Sequence, residues 1–361
     1  MLKVDSLFKL RYPINGLFGK ILPKTKKFKS LHSYFLNVID HEVLRLMNKN
    51  AELEINKLFN TKSNNATIIW DCKTSPVTYG DFIDFCIFAR YLKSIGLKIN
   101  FYITSDEYRN DWHKTYQSND KRKIFLNELK ELGEFILEEK CMQICNFSDV
   151  DFDSTKSYIP FSKEILSRSD YNVFKYAVVM TEILHTRYPS KDFLIKCPHG
   201  KNIIEEGDYI AWHIRGASIN STEEDELPED IISYYENISL LTDLPIVVVS
   251  SKGALPFLKE VLKGKDNVIL SKDRFDNFLS DAKIILASKV YIQCGWGGTF
   301  TLSVNSDLPY LGPPIERVHA SWEKLKIHIK NQSKLKPWAR KNQLSYDDME
   351  DFKDKLSDIL K

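Results

Sequence analysis

Pro245-Ile246-Val247-Val248-Val249-Ser250 is a short, unbroken apolar run, and Ser250-Ser251-Lys252-Gly253 closes it with turn residues. Such a run reads as a buried strand. Working outward toward the C-terminus, helical spacing covers Ala254 to Leu262, and Asn267 to Leu270 reads as a strand. A helix follows from Phe275 to Ala287, then a strand from Val290 to Gln293. A helix opens at Gly297 and runs to Asn305, and Leu308 to Leu311 returns as a short strand. Working back toward the N-terminus, a helix covers about 228–242, an acidic loop carries Glu223, Glu224, Asp225, Glu226, Glu229 and Asp230, and Tyr209 to Ile214 is a strand. Strands of about five residues alternating with helices of ten to fifteen predict a parallel sheet with helices on both faces.

The same alternation begins earlier, near residue 67. Thr67 to Trp70 reads as a buried strand, Asp71 to Gly80 as a loop, and Asp81 to Ser94 as an amphipathic helix with Asp81 as its N-cap. Gly96 stops that helix, and Leu97 to Ile103 is the next strand. Further helices are predicted over 122–139 and 171–187. The chain therefore divides into an N-terminal extension and helix (1–60), a first α/β domain (61–204), a second α/β domain (205–320) and a charged helical segment (321–361). The expected fold class is α/β, with two Rossmann-like domains facing a cleft.

Composition limits the function. The 361 residues suffice for two domains, and 43% are apolar. A net charge of +2 gives no global case for nucleic-acid binding. No run of 18 apolar residues is present, and the N-terminus lacks a leader pattern, so the expected location is cytoplasmic. Lys20, Lys24, Lys26, Lys27 and Lys29 interleave with Leu17, Phe18, Ile21, Leu22 and Phe28. That segment is either a solvated extension or a peripheral contact with the inner face of an anionic membrane. Six cysteines include Cys141 and Cys145, spaced too widely for C-x-x-C and with no second pair, so no metal site is expected.

Ligands of a parallel α/β sheet bind at the carboxyl ends of its strands. Four places there carry chemistry. After strand 209–214, His213 and Arg215 share one side, and Gly216, Ala217 and Ser218 leave room for a ligand. The Arg215 guanidinium suits a phosphate, or it makes a surface ion pair while His213 belongs to the core. Ser250 and Ser251 contact a base or ribose, or cap the next helix. In Ser271-Lys272-Asp273-Arg274, Asp273 caps the following helix, the stronger reading, or Arg274 reaches a ligand. Gln293-Cys294-Gly295-Trp296-Gly297-Gly298-Thr299-Phe300-Thr301 combines strand-end glycines with hydroxyls where a helix opens, which favours an anion. In the first half, Gly80 allows close approach to the cleft, and either Asp71, at the strand end, or Asp81 is expected to face the acceptor.

The order of these segments resembles the superfamily of α1,2-, α1,6- and protein O-fucosyltransferases. The resembling segments are Trp212-His213-Ile214-Arg215-Gly216, Val247-Val248-Val249-Ser250-Ser251, Phe278-Leu279-Ser280-Asp281-Ala282-Lys283 and Gly297-Gly298-Thr299-Phe300-Thr301. The resemblance covers about 205–312, with a fainter match over 68–105. It implies a GT-B fold and an inverting, metal-independent glycosyl transfer with no cofactor beyond the nucleotide-sugar substrate, a GDP-linked sugar being favoured. It places Arg215 on the donor β-phosphate and His213 in the same pocket. It places Ser251, Asp281, Gly298, Thr299 and Phe300 around the nucleotide and its phosphates, and the strand-end residues Ser250, Gly297 and Thr301 complete the expected donor-binding set. Many relatives carry a second Arg directly after the first, where this chain has Gly216, which leaves other nucleotide sugars open.

The chemistry asks for a fixed positive charge at the leaving diphosphate and a base for the acceptor hydroxyl. Arg215 and the amides where the helix opens after Gly297 meet the first need, with His213 lining the same pocket. Asp81, Asp71, Asp225 and Glu226 are candidates for the second. The expected acceptor is a cell-surface glycan, a lipid-linked saccharide or a protein. Asp149-Val150-Asp151-Phe152-Asp153 contains D-x-D, a metal and nucleotide motif of another glycosyltransferase fold, but it stands apart from a matching sheet and reads as a polar loop. A sugar-nucleotide epimerase of similar architecture and a non-catalytic nucleotide- or glycan-binding module are the alternatives.

Overall fold

The computed structural model describes residues 49–109, 112, 115–160, 173–190, 192–196, 207–214, 231–293, 297–312 and 343–361. Helix α1 spans 49–60 and buries Ala51, Ile55 and Leu58 at helical spacing. The first half then runs β1 (Asn65–Asp71), α2 (Tyr79–Ser94), β2 (Lys98–Thr104), α3 (Asn119–Leu137), β3 (Met142–Cys145) and α4 (Val173–Arg187). The second half runs β4 (Ile210–Ile214), α5 (Ile231–Leu241), β5 (Ile246–Ser250), α6 (Leu255–Val261), β6 (Val268–Leu270), α7 (Phe278–Ala287), β7 (Val290–Gln293), α8 (Gly298–Val304), β8 (Tyr310–Gly312), β9 (Gln343–Ser345) and α9 (Met349–Leu360).

Two separate parallel sheets form, as the alternation predicts. The first has the order β1-β2-β3. The second has the order β6-β5-β4-β7-β8-β9, with every neighbouring pair parallel. That is the doubly wound order of a Rossmann sheet, which reverses direction between β4 and β7.

The two faces of the second sheet bury different partners. Ile210, Trp212, Ile214, Ile246, Val248 and Ile292 face α5, α6 and α9, through Ile231, Ile238, Leu258, Phe352 and Leu356. Ala211, Val247, Val249, Tyr291 and Tyr310 face the other way. They join one continuous core with Ile68, Trp70, Phe101 and Ile103 of the first sheet, and α2, α7 and α8 contribute to that core.

This arrangement corrects the reading of α2. Its buried residues run without a break from Phe85 to Leu92, in addition to Phe82 and Ile83. A helix apolar on all sides is an interior helix rather than an amphipathic surface one. The helix also begins earlier than expected. Thr78 caps it, accepting from the Asp81 amide at 3.2 Å and donating its hydroxyl to Asp81 Oδ2 at 2.7 Å. Asp81 is therefore the third residue of the helix, tied to its cap through the Thr78 hydroxyl, and not the N-cap itself. Similarly, Asn277 caps α7 by accepting from the Ser280 amide at 2.8 Å, so Asp273 does not. Two short strands, β3 and β9, lie outside the strands that the pattern predicts. β9 falls in the segment expected to be all helical and extends the second sheet beside β8.

The halves meet where α2 packs against α7 and α8. The Tyr79 ring stacks on Phe278, with centroids 4.3 Å apart and planes 9° apart. Asn305 Nδ2 donates to Asp84 Oδ1 at 3.1 Å. A Cβ on Gly298 would lie 2.6 Å from Phe278 Cζ and 3.0 Å from Tyr79 Cβ. Replacing Gly298 by Ala is therefore expected to cost about 1–3 kcal/mol through overpacking. Urea denaturation checks this, and an unchanged midpoint would show that the ring stack yields.

Candidate functional site at the switch point

Ligands of doubly wound sheets bind outside the carboxyl ends of the strands, where the strand order reverses. Here that point lies between β4 and β7. His213 is in register with Gln293 on one side and with Val249 on the other, and Ile214 is in register with Ser250. His213 is buried, with its ring 6.4 Å from that of Tyr291, on the face turned toward α8. Gln293 is buried beside it, and alternation along β7 puts it on the same face. Sequence reasoning does not single out Gln293, although it opens the glycine-rich segment. The signal is there: it is a polar residue ending an apolar strand at the switch.

The chain from β7 enters α8 through Gly297, whose φ of +122° only glycine adopts without strain. Thr299 and Thr301 are both buried, and Phe300 is half-buried. The Thr301 hydroxyl donates to the Gly297 carbonyl at 3.3 Å, a bond internal to the turn. A Cβ on Gly80 would lie 3.0 Å from Thr301 Oγ1, so Gly80 serves the approach of α2 to α8.

On the other side of β4, Ser250 donates to the Ser251 carbonyl at 3.3 Å. Ser251 caps no helix through its side chain, and its buried hydroxyl has no partner among the described residues. Asp281, on α7, is buried and ion-paired with Lys272 at 2.7 Å. Burial pushes the Asp281 carboxyl up to about 6, against the opposing pull of Lys272. In the sequence Lys272 reads only as part of a turn. A lone lysine after an edge strand gives no sign that it will be buried.

The first-half carboxylates are both engaged. Asp71 ends β1 and accepts from Thr104 Oγ1 at 2.8 Å, Thr74 Oγ1 at 3.1 Å and the Lys73 amide at 3.3 Å. Burial raises its carboxyl above the usual range, while these bonds oppose the rise. Asp81 is half-exposed at the start of α2. The D-x-D aspartates are turn residues. Asp153 accepts from the amide and hydroxyl of Thr155 at 2.9 and 2.6 Å, and Asp151 accepts from the Asp153 amide at 2.9 Å. Among the described residues no cluster of His, Cys, Asp or Glu could hold a metal ion, and no helix is long and apolar enough to cross a membrane. Arg215, Gly216, residues 223–230, Cys294–Trp296 and the basic N-terminal segment lie outside the described residues.

No protein-family model matches the chain, and no curated protein matches it. Two solved structures of the E. coli heptosyltransferase WaaC are similar in part. The complex with ADP-2-deoxy-2-fluoro heptose is 12% identical, with a TM-score of 0.37, covering 74% of this chain and 99% of that one. The complex with ADP is 11% identical, with a TM-score of 0.35, covering 75% and 99%.

Proposed function

We propose that this chain is a glycosyltransferase of the GT-B arrangement. It moves a sugar from a nucleotide donor, held by residues 205–320, to a glycan, lipid-linked saccharide or protein presented by residues 61–204. One observation carries the reading: His213 and Gln293 lie in register at the switch point, and α8, the next helix after β7, opens at the Gly297-Gly298 turn. The order of motifs along the second half supports donor chemistry of the fucosyltransferase kind, with a GDP-linked sugar favoured.

In this reading the acceptor hydroxyl attacks the anomeric carbon from the face opposite the leaving group. The bond from that carbon to the β-phosphate oxygen breaks, and the nucleoside diphosphate leaves with the electron pair. The hydroxyl proton passes to a carboxylate. Arg215 is assigned to the β-phosphate, because a fixed guanidinium stabilises charge that develops as the bond breaks. His213 and the Gly297–Thr301 turn line the same pocket. Ser250 and Ser251 lie on the ribose side. Asp81 is favoured over Asp71 as the base, since Asp71 already accepts three hydrogen bonds within its own half. Asp281 acts on the nucleotide side through its fixed pair with Lys272.

A thermal-shift panel of GDP, UDP, dTDP, CDP and CMP, with and without magnesium, tests the reading. Ligand at about a hundred times its Kd adds about 2.7 kcal/mol to the native state. One nucleotide is expected to raise Tm without metal in the wild type, and Arg215→Ala is expected to abolish the rise. No shift with any nucleotide or nucleotide sugar, or an undiminished shift in Arg215→Ala, would sink the assignment. Gly216, standing where many relatives have a second Arg, favours a non-catalytic nucleotide-binding module as the second reading. Release of nucleoside diphosphate in the presence of a saccharide acceptor separates the two. Binding of the chain to anionic vesicles, lost when the lysines between 20 and 29 are neutralised, would mark a peripheral membrane role.

A further inference from the structure

Helix α8 has little of its own to fix its first turn. It is seven residues long, its N-cap is Gly297, and no side chain caps it. Isolated helices of that length are unstable, so the turn depends on what packs against it. Gly298 is its first residue. A Cβ added there would meet the Phe278 ring at 2.6 and 2.9 Å and Tyr79 Cβ at 3.0 Å. Phe278 belongs to the same half as α8, but Tyr79 comes from the other.

Tyr79 is held firmly. Its ring is stacked on Phe278 and sits edge-on to Phe125 at 4.9 Å. Its hydroxyl donates to the Glu128 carboxylate on α3. Its backbone opens α2 next to Gly80, which in turn abuts Thr301 and Gly297. We infer that Tyr79 is a positioning residue of the first half that fixes the Gly297-Gly298 turn of the second. The inference rests on the reading of that turn as part of the donor site. It extends that reading by making donor affinity depend on a residue of the acceptor half.

The test uses the full chain with three substitutions. Tyr79→Phe keeps the ring and loses the Glu128 bond. Tyr79→Leu removes the stack. Phe101→Leu loosens the first-half core away from the turn, where Phe101 is fully buried, and controls for general destabilisation. The first readout is amide hydrogen exchange of peptides spanning 297–305 without ligand. Exchange is expected to rise about tenfold in Tyr79→Leu and to stay near wild type in the other two, because local opening reports local support. The second readout is the Kd for whichever of GDP, UDP, dTDP, CDP or CMP stabilises the wild type. Tyr79→Leu is expected to weaken it about tenfold, equivalent to about 1.4 kcal/mol. Unchanged exchange in Tyr79→Leu overturns the inference, as does an equal rise in Phe101→Leu. Faster exchange with unchanged affinity overturns it as well, since the turn would then move without consequence for the ligand. A wild type that binds none of the nucleotides defeats the donor reading, and exchange alone then decides whether Tyr79 fixes the turn.

Discussion

Replacing Arg90 by Met is expected to cost about 3–5 kcal/mol, enough to unfold a chain of ordinary marginal stability. Arg90 lies on the interior helix α2 and is itself buried. Its guanidinium donates to three backbone carbonyls: Phe193 at 2.9 Å, Ile136 at 2.6 Å and Leu194 at 2.9 Å. It also pairs with Glu138 at 3.0 Å, but Glu138 is well exposed, and that pair adds little. The cost comes from the carbonyls. Ile136 is in the last turn of α3, where carbonyls have no partner within the helix. Removing the guanidinium leaves buried acceptors unsatisfied, each worth about 1–3 kcal/mol. Met keeps the volume of the stem, so the loss reports the hydrogen bonds and not a cavity. Arg90→Lys is expected to recover less than half of it, because an ammonium cannot reproduce the planar fork. Urea midpoints of the two variants decide the matter. A loss below about 1 kcal/mol in Arg90→Met would show that the carbonyls find other donors.

The second large effect concerns Lys272 and Asp281. Both side chains are more than nine-tenths buried, with their charged atoms 2.7 Å apart. Asp281→Ala leaves a buried ammonium without its counter-charge and is expected to cost about 3–5 kcal/mol. Replacing both residues, Lys272→Met with Asp281→Leu, is expected to cost far less than either alone, and the double-mutant cycle measures the coupling. The pair also makes stability depend on pH. Burial holds the Asp281 carboxyl at about 6, above its ordinary 3.8. The folded state then holds this proton more tightly than the unfolded one. Its contribution to stability is complete below about pH 4 and is lost as pH rises through about 6. At most roughly 3 kcal/mol is involved, since each tenfold gain in proton affinity on folding is worth about 1.4 kcal/mol. Between pH 4 and 6.5, Asp281→Asn should remove a falling component from the wild-type stability profile. Identical slopes in the two proteins would count against the assignment.

The second half is the more legible in sequence, for a physical reason. Its central strands are buried on both faces, so Ile246–Ser250 and Val290–Gln293 stand out as apolar runs between polar turns. The elements that escape are those whose conformation is set from outside. β9 is three residues long and extends the sheet by pairing with β8. β3 alternates weakly and is fixed by its register with β2. The start of α2 is misplaced in the sequence reading because Asp81 is a good cap in isolation, whereas Thr78 makes a reciprocal pair with it. The site is legible in part. His213, Ser251 and the Gly297-Gly298 turn fall at the strand ends that the pattern marks. The seam formed by Tyr79, Phe278 and Gly298 is not legible, because it joins residues some two hundred positions apart with no shared local pattern. Nor is the burial of Asp281 against Lys272, since neither residue type announces a partner across the start of a helix.

Helix α2 also has a consequence for how the protein is made. Its partner α8 begins at Gly298, while α2 ends at Ser94. At about 5–20 residues per second, roughly 10–40 s of synthesis separate the two. Throughout that interval the newly made α2 lacks the cover that α8 gives it, and the oily side it will present to α8 faces water. A ribosome-associated chaperone has its clearest target there, and truncation anywhere before α8 should yield a product that is captured or aggregates rather than one that folds as a stable half.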